Sequence, residues 1–299
     1  MRSRMVLSDR LVVAGFIRPA VLVRGLQLSR PALGSSPVGL LMACTGLLVE
    51  PPAWLQSLLL RPLLRLVMTT VRPIDAVPWS ENDPQEDELG IARLCMDTNM
   101  AGMAFPRVYP LHFRRSVLET TAGFERQWLR FTRLTWLHDG QGRSGLLIKN
   151  SAHSARVGLI LRHFPRARFV LLHREPSDSI RSLVQVKQRL ADLVGLQPAP
   201  DVITQVEETA AAHRQLLEAF EASRSVIPPG QLLELDYDDL VATPLAAVQR
   251  IYDQFDSPGW ERAKRVIAAR LDQARSYRPD PVQLPAAAES RLQQLLASR

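Results

Sequence analysis

The stretch LLIKNSAHSARVGLILRHFPRARFVLLHREPSDSIRSL, residues 146–183, decides the fold of this chain. It holds two apolar runs, LLIK at 146–149 and ARFVLLH at 167–173, and a helical pattern follows each of them. Strands that stay apolar from end to end are typical of a parallel sheet covered on both faces, because an exposed face requires alternating polar residues. The stretch therefore predicts two parallel strands, each followed by a helix.

The rest of the chain repeats this pattern. Further strands are predicted at 11–14 (LVVA), which ends at Gly15, and at 232–237 (LLELDY). Alternating strands and helices predict an α/β fold, a three-layer sandwich with a central parallel sheet whose ligand sites lie at the carboxyl ends of the strands. We expect a single domain over 1–299, with a helical cap inserted at about 40–140. Helices are predicted at 51–70, 85–96, 111–139, 151–163, 176–193, 201–224 and 244–255.

Composition and charge exclude some classes of protein. The net charge is +7, but the basic residues are scattered, so no nucleic-acid-binding arm is predicted. Cys44 and Cys95 are far apart in sequence, which predicts free thiols in a reducing compartment and hence a cytoplasmic protein. The apolar runs at 11–28 and 38–49 are either interrupted by arginine or shorter than the roughly 20 residues that cross a bilayer. We therefore predict neither a signal peptide nor a membrane span.

One motif lies between the strand predicted at 167–173 and the helix predicted at 176–193. Arg174 ends the strand, Pro176 stands at the start of the helix, and Ser182 lies eight residues beyond the arginine. An arginine and a hydroxyl in this arrangement can bind one phosphate, through a charge-assisted hydrogen bond and a neutral donor. A surface ion pair of Arg174 is the structural alternative.

The stretch 146–183 resembles the core of the PAPS-dependent sulfotransferases, most closely the bacterial branch related to tyrosyl-protein sulfotransferases. Arg174, Pro176 and Ser182 match the 3′-phosphate motif of that family, and Tyr237 matches a tyrosine on the adenine side. The resemblance implies a P-loop-NTPase-like sulfotransferase fold that binds PAPS, or its desulfated product PAP. A P-loop kinase is a weaker alternative, because no GxxxxGK[ST] motif occurs.

The loop after the first strand departs from the family. Its members carry GxPRSGTT there to hold the 5′-phosphosulfate, and this chain has GFIRPAVL at 15–22. Gly15 and Arg18 match, whereas Pro19 removes an N–H donor and the next three positions carry no hydroxyl. Two functions therefore stay open: a PAPS-dependent sulfotransferase, or a protein of the same fold that has lost this activity and acts by binding or by another reaction.

The resemblance also implies catalytic residues. The segment PQEDE at 84–88 resembles an acidic segment of the family, and Glu86 is our candidate for the base, with Asp87 and Glu88 as alternatives. Lys149 matches a lysine near the sulfuryl group. His153 is a candidate base or phosphate donor, with a purely structural role as its alternative.

The reaction that these residues imply is sulfuryl transfer to a hydroxyl of a small molecule or a peptide, without a metal. The sequence carries no motif for the acceptor, and it leaves the oligomeric state open, a homodimer included.

Overall fold

The computed structural model describes residues 12–15, 86–92, 95–139, 145–274 and 282–298. Some predictions fall outside the described residues. They are Arg18 and the rest of the 16–22 loop, the helix at 51–70, and Cys44.

Four parallel strands form one sheet within the described part of the chain. They are β1 (Val12–Gly15), β2 (Ile148–Lys149), β3 (Phe169–His173) and β4 (Leu232–Asp236), in the order β2-β1-β3-β4. All three pairings are parallel, and every predicted strand is present, with ends shifted by one or two residues. In this order β1 lies between β2 and β3, the two strands of residues 146–183.

The sheet is covered on both faces, as its apolar strands predicted. On β3, Phe169 and Leu171 pack into one hydrophobic cluster, and Val170 and Leu172 pack into another on the opposite face. Because side chains alternate across a strand, an unbroken apolar run requires cover on both sides. This arrangement confirms the three-layer α/β sandwich.

The helices before β2 form part of one cover. The helix predicted at 85–96 is short and starts directly after Glu86, while the region 111–139 is interrupted by a π-helical turn. Within the described residues these elements are α1 (Asp87–Ile91), α2 (Asn99–Ala104), a 3-10 turn (Pro106–Val108), α3 (Tyr109–Phe113), the π-helical turn (Arg114–Leu118) and α4 (Ala122–Asp139).

The helices after β2 follow the predictions more closely. The predicted helix at 151–163 begins as a 3-10 segment (Ser151–Arg156), and only its second half is α-helical. Pro176 and Pro244 each occupy the first turn of a helix, where the missing N–H has no partner to lose. The described helices are α5 (Val157–His163), α6 (Pro176–Val194), α7 (Val202–Arg224), α8 (Tyr237–Ala242), α9 (Pro244–Gln254), α10 (Trp260–Ala274) and α11 (Ala286–Ala297).

No helix among the described residues is both long and apolar enough to cross a membrane. The single domain over 1–299 and the cap at about 40–140 stay predictions, because much of that cap lies outside the described residues.

Candidate active site

The carboxyl edge of the sheet gathers four of the predicted site residues. Lys149 ends β2, Gly15 ends β1, Arg174 follows β3, and Tyr237 follows β4. Parallel strands in register bring their carboxyl ends to the same edge, which is where α/β proteins bind ligands. The four positions, far apart in sequence, are thereby placed along one edge.

Arg174 and Tyr237 are neighbours because of strand register. His173 pairs with Asp236, so the next residue of each strand extends beyond the sheet at the same level. The Arg174 guanidinium lies over the Tyr237 ring, 4.8 Å from its centre. Its buried Nε has no hydrogen-bond partner, and among the described residues no carboxylate pairs with this arginine.

The helix that follows Arg174 leaves its N-terminus free of side-chain caps. Glu175 occupies the N-cap position without a side-chain hydrogen bond, and Pro176 follows it. A helix N-terminus carries a partial positive charge that favours anions. Ser182 lies in the second turn of the same helix and is half-buried.

Glu86 and Lys149 form an ion pair at this edge. The Lys149 Nζ donates a hydrogen bond to the Glu86 carboxylate across 63 positions of sequence. The Glu86 side chain is 32% exposed and that of Lys149 is 15% exposed, so both remain in reach of a ligand. Glu86 is the N-cap residue of α1, with extended backbone.

Asp87 is buried and accepts three hydrogen bonds. Oδ1 accepts from Asn150 Nδ2 at 2.8 Å, and Oδ2 from Trp128 Nε1 at 3.0 Å and from His153 Nε2 at 2.8 Å. Burial raises the pKa of the Asp87 carboxyl, but its interactions with His153, Asn150 and Arg156 outweigh burial and hold the pKa below its ordinary value.

Glu88 is also buried and is paired with Arg156. The Arg156 Nη2 donates to Glu88 Oε1 at 2.5 Å and to the Ser116 carbonyl oxygen, in the π-helical turn, at 2.8 Å. Its guanidinium carbon lies 4.0 Å from the centre of the Phe124 ring. Both charged side chains are almost completely shielded from solvent, so this pair holds the core together and does not face a ligand.

His153 lies between Asp87 and Arg156, with one ring nitrogen against each. Arg156 Nη1 lies 3.2 Å from His153 Nδ1, and because an arginine only donates, Nδ1 must be the acceptor. The proton of the neutral ring is then on Nε2, which donates to Asp87. Both ring nitrogens are therefore engaged, and the side chain is buried. The geometry favours the structural role that the sequence left open for this histidine.

The three acids of PQEDE, at 84–88, differ in burial. Asp87 and Glu88 are buried with partners, whereas Glu86 alone is half-exposed. This supports Glu86 over its two neighbours as the acid that can reach a substrate.

Sequence reasoning missed three residues that build this region: Trp128, Asn150 and Arg156. Asn150 had a signal, because it precedes a helix and Asn is a favoured N-cap; its Oδ1 accepts from Ala152 N at 2.9 Å. Arg156 follows His153 at a spacing of three, which places both on one helix face. Trp128 had no such signal.

Fold and site define an α/β protein with cationic side chains gathered at the carboxyl edge of a parallel sheet. Residues 71–262 match the model of the sulfotransferase family, and the chain belongs to that family.

Among similar proteins are the omega-hydroxy-beta-dihydromenaquinone-9 sulfotransferases Stf3 of Mycobacterium bovis and Mycobacterium tuberculosis. The chain is 25% identical to each over 221 residues, which cover 71% of this chain and 56% of the relative. The chain thus spans about half the length of the curated relatives it matches.

Two solved structures share the architecture. Sulfotransferase STF9 from Mycobacterium avium has a TM-score of 0.73 at 17% identity, covering 98% of this chain and 76% of that one. Sulfotransferase STF1 from Mycobacterium tuberculosis has a TM-score of 0.67 at 16% identity, covering 96% and 76%. At these identities the likeness shows the fold, and it confirms the sulfotransferase fold predicted from residues 146–183.

Proposed function

We propose that this protein transfers a sulfuryl group from PAPS to the hydroxyl of a small-molecule acceptor. The observation that carries the proposal is the convergence of Lys149, Arg174 and Tyr237 from three strands on one edge of the sheet, beside a half-exposed carboxylate, Glu86. Membership of the sulfotransferase family supplies the reaction class.

The residues at the edge fit the donor. Arg174 has a buried Nε without a partner and a guanidinium already stacked on Tyr237, so the side chain is oriented before any ligand arrives. We assign Arg174 and Ser182 to the 3′-phosphate and Tyr237 to the adenine side. Gly15 and Arg18 are assigned to the 5′-phosphosulfate; of these, Arg18 lies outside the described residues.

PAPS, when bound, supplies an activated sulfuryl group. The protein must orient the acceptor hydroxyl, take its proton, and neutralise charge on the oxygens between which the group moves. We assign the proton acceptor to Glu86 and the balancing positive charge to Lys149, whose side chains are hydrogen-bonded to each other.

The names of the relatives bear on the class of acceptor. The curated relatives are named for a hydroxylated menaquinone, which favours a small-molecule hydroxyl over a peptide hydroxyl. We also propose a cytoplasmic location, which the free thiol of Cys95 supports.

Two measurements test the proposal. We expect PAP to bind the purified protein in isothermal titration calorimetry, and labelled PAPS to yield sulfated product when ω-hydroxylated quinones are offered as acceptors. A tyrosine peptide in the same assay tests the peptide alternative, and light scattering after size exclusion reports a homodimer. A protein that fails to bind PAP at millimolar concentration contradicts the proposal.

The loop at 15–22 motivates the second function, a protein of this fold without PAPS-dependent activity. The discriminating variant restores the family pattern by Pro19→Ser, Ala20→Gly, Val21→Thr and Leu22→Thr. If only the restored variant binds PAP, the native chain has lost donor binding through this loop. Equal binding by both proteins excludes that explanation.

A further inference from the structure

Three consecutive acids face one short basic segment, residue by residue. Glu86 meets Lys149, Asp87 meets Asn150 and His153, and Glu88 meets Arg156. We call these contacts the outer, middle and inner rungs. Side-chain exposure falls along them, from 32% and 15% in the outer pair to 1% and 0% for Glu88 and Arg156.

We infer that Asn150 is a positioning residue that sets the distance between Glu86 and Lys149. Its amide nitrogen donates to Asp87 Oδ1 at 2.8 Å, and its amide oxygen accepts from Ala152 N at 2.9 Å. Asn150 directly follows Lys149, and Asp87 directly follows Glu86, so one hydrogen bond between side chains joins the two segments next to the outer pair. This inference rests on the proposed roles of Glu86 and Lys149.

We call the hydrogen bond between Asn150 and Asp87 the clamp. The outer pair needs a clamp to fix its geometry. A partly exposed Glu–Lys pair gains little from its charges, because it must restrict two long side chains and water screens it. The middle rung has short side chains, and Asp87 accepts further bonds from Trp128 and His153. Asn150 is itself buried and does not reach the surface that would meet a substrate, so its effect must pass through its neighbours.

The three lysines of the chain allow a test that does not depend on catalysis. Lys149 is in the outer pair, Lys187 is buried, and Lys264 is exposed. Brief acetylation with an N-hydroxysuccinimide ester, read by mass spectrometry, gives the labelling of Lys149 relative to Lys264 as an internal reference. Loosening the outer pair raises this ratio, because the amine is no longer held by Glu86.

Two variants at Asn150 separate its two hydrogen bonds. Asn150→Ala removes both, whereas Asn150→Ser keeps an oxygen that caps the 3-10 segment but cannot reach Asp87. We expect the Lys149 labelling ratio to rise equally in both variants. A rise confined to Asn150→Ala means that Asn150 is only a helix cap, and overturns the inference.

Further variants guard against general destabilisation. Trp128→Phe keeps the ring but removes one donor to Asp87, and we expect a smaller rise of the Lys149 ratio. Glu208→Gln disrupts a buried pair elsewhere, in which Lys187 Nζ lies 3.6 Å from Glu208 Oε2. It should raise labelling of Lys187 and leave Lys149 unchanged; a rise at Lys149 of the same size contradicts the clamp.

A double-mutant cycle supplies the catalytic readout. We expect Asn150→Ser to lower kcat by about 10- to 100-fold, as small misplacements of reacting groups do, with little change in PAP affinity. In a Glu86→Gln background the same change should have no further effect, since its action passes through Glu86. Additive losses overturn the inference. If the wild-type protein binds no PAP, the proposed function fails, while the lysine labelling still decides the clamp.

Discussion

Arg156 ends the 3-10 segment before α5, and Arg174 directly follows β3. The surroundings of the two side chains are opposite. Arg156 has a fully buried side chain, donates to Glu88, Ser116 and His153, and lies against the Phe124 ring. Arg174 is half-buried, contacts the Tyr237 ring, and has no carboxylate or hydrogen-bond partner among the described residues.

The difference distinguishes an arginine that holds the core from one that awaits a ligand. A buried cation survives only with partners, because its desolvation must be offset within the protein. A partly exposed cation whose face is fixed by an aromatic ring keeps its donors available for a phosphate. The contrast supports Arg174, and not Arg156, as a ligand-binding residue.

The largest expected effect comes from breaking the buried pair. Arg156→Leu leaves the Glu88 carboxyl in the core without its partner, so we expect the free energy of unfolding to fall by about 3–5 kcal/mol. Urea denaturation measures this loss. Arg162→Leu is the matched control, because that arginine is 66% exposed and 3.6 Å from Glu125, and it should change stability by less than about 0.5 kcal/mol. A loss below about 1 kcal/mol for Arg156→Leu contradicts the assignment.

Replacing Arg174 should affect the binding of PAP and not the stability of the fold. We expect Arg174→Gln to weaken PAP binding by about 2–3 kcal/mol, or roughly 30- to 150-fold, because charge-assisted bonds to phosphate are lost. Stability should stay within about 0.5 kcal/mol of the wild type, since no protein partner is left unpaired.

Calorimetric titration with PAP measures this effect, and two variants calibrate it. Arg174→Lys keeps the charge but loses the planar fork, so it should recover only part of the affinity. Arg250→Gln removes an arginine that is 54% exposed and should leave PAP binding unchanged. Unaltered affinity in Arg174→Gln refutes the assignment to the phosphate.

The ring beneath Arg174 should have a smaller effect. Tyr237→Leu removes the 4.8 Å stacking contact, and we expect PAP affinity to fall by about 1 kcal/mol, or roughly fivefold. Tyr237→Phe keeps the ring and serves as the control in the same titration. If the phenylalanine variant loses as much as the leucine variant, the hydroxyl and not the ring face is what matters.

Much of the fold was predictable from sequence because its signal is local. Phe169 to Leu172 are apolar in succession, and only a strand with both faces covered accommodates such a run. The length of α1 was overestimated, because the acidic residues and the apolar spacing at 85–96 are also typical of a longer amphipathic helix. Nothing in that spacing indicates that helix α1 ends at Ile91.

The site was predictable in its positions but not in its partners. Strand ends locate Lys149 and Arg174, whereas the clamp between Asp87 and Asn150 joins residues 63 positions apart. Such a contact depends on how two layers pack, and no local pattern specifies it. His153 shows the same limit, because its type allows a base or a buried donor, and only its neighbours Asp87 and Arg156 decide between them.

The smallest expected effect concerns an arginine paired near the surface. A hydrogen bond from Arg224, at 2.5 Å, holds the pKa of the Glu234 carboxyl at about 2, below its ordinary value of 4.5. A lowered folded-state pKa stabilises the protein above pH 4.5, and this contribution is lost as the pH falls toward 2. Because the Glu234 side chain is 36% exposed, water screening limits the contribution to about 0.5 kcal/mol. Glu234→Gln should therefore make the unfolding free energy fall less steeply between these pH values. Glu218→Gln, at an acid 3.9 Å from Arg214, should leave the slope unchanged. Equal slopes for the wild type and Glu234→Gln would show that the surface pair, unlike Glu88 and Arg156, contributes nothing to folding.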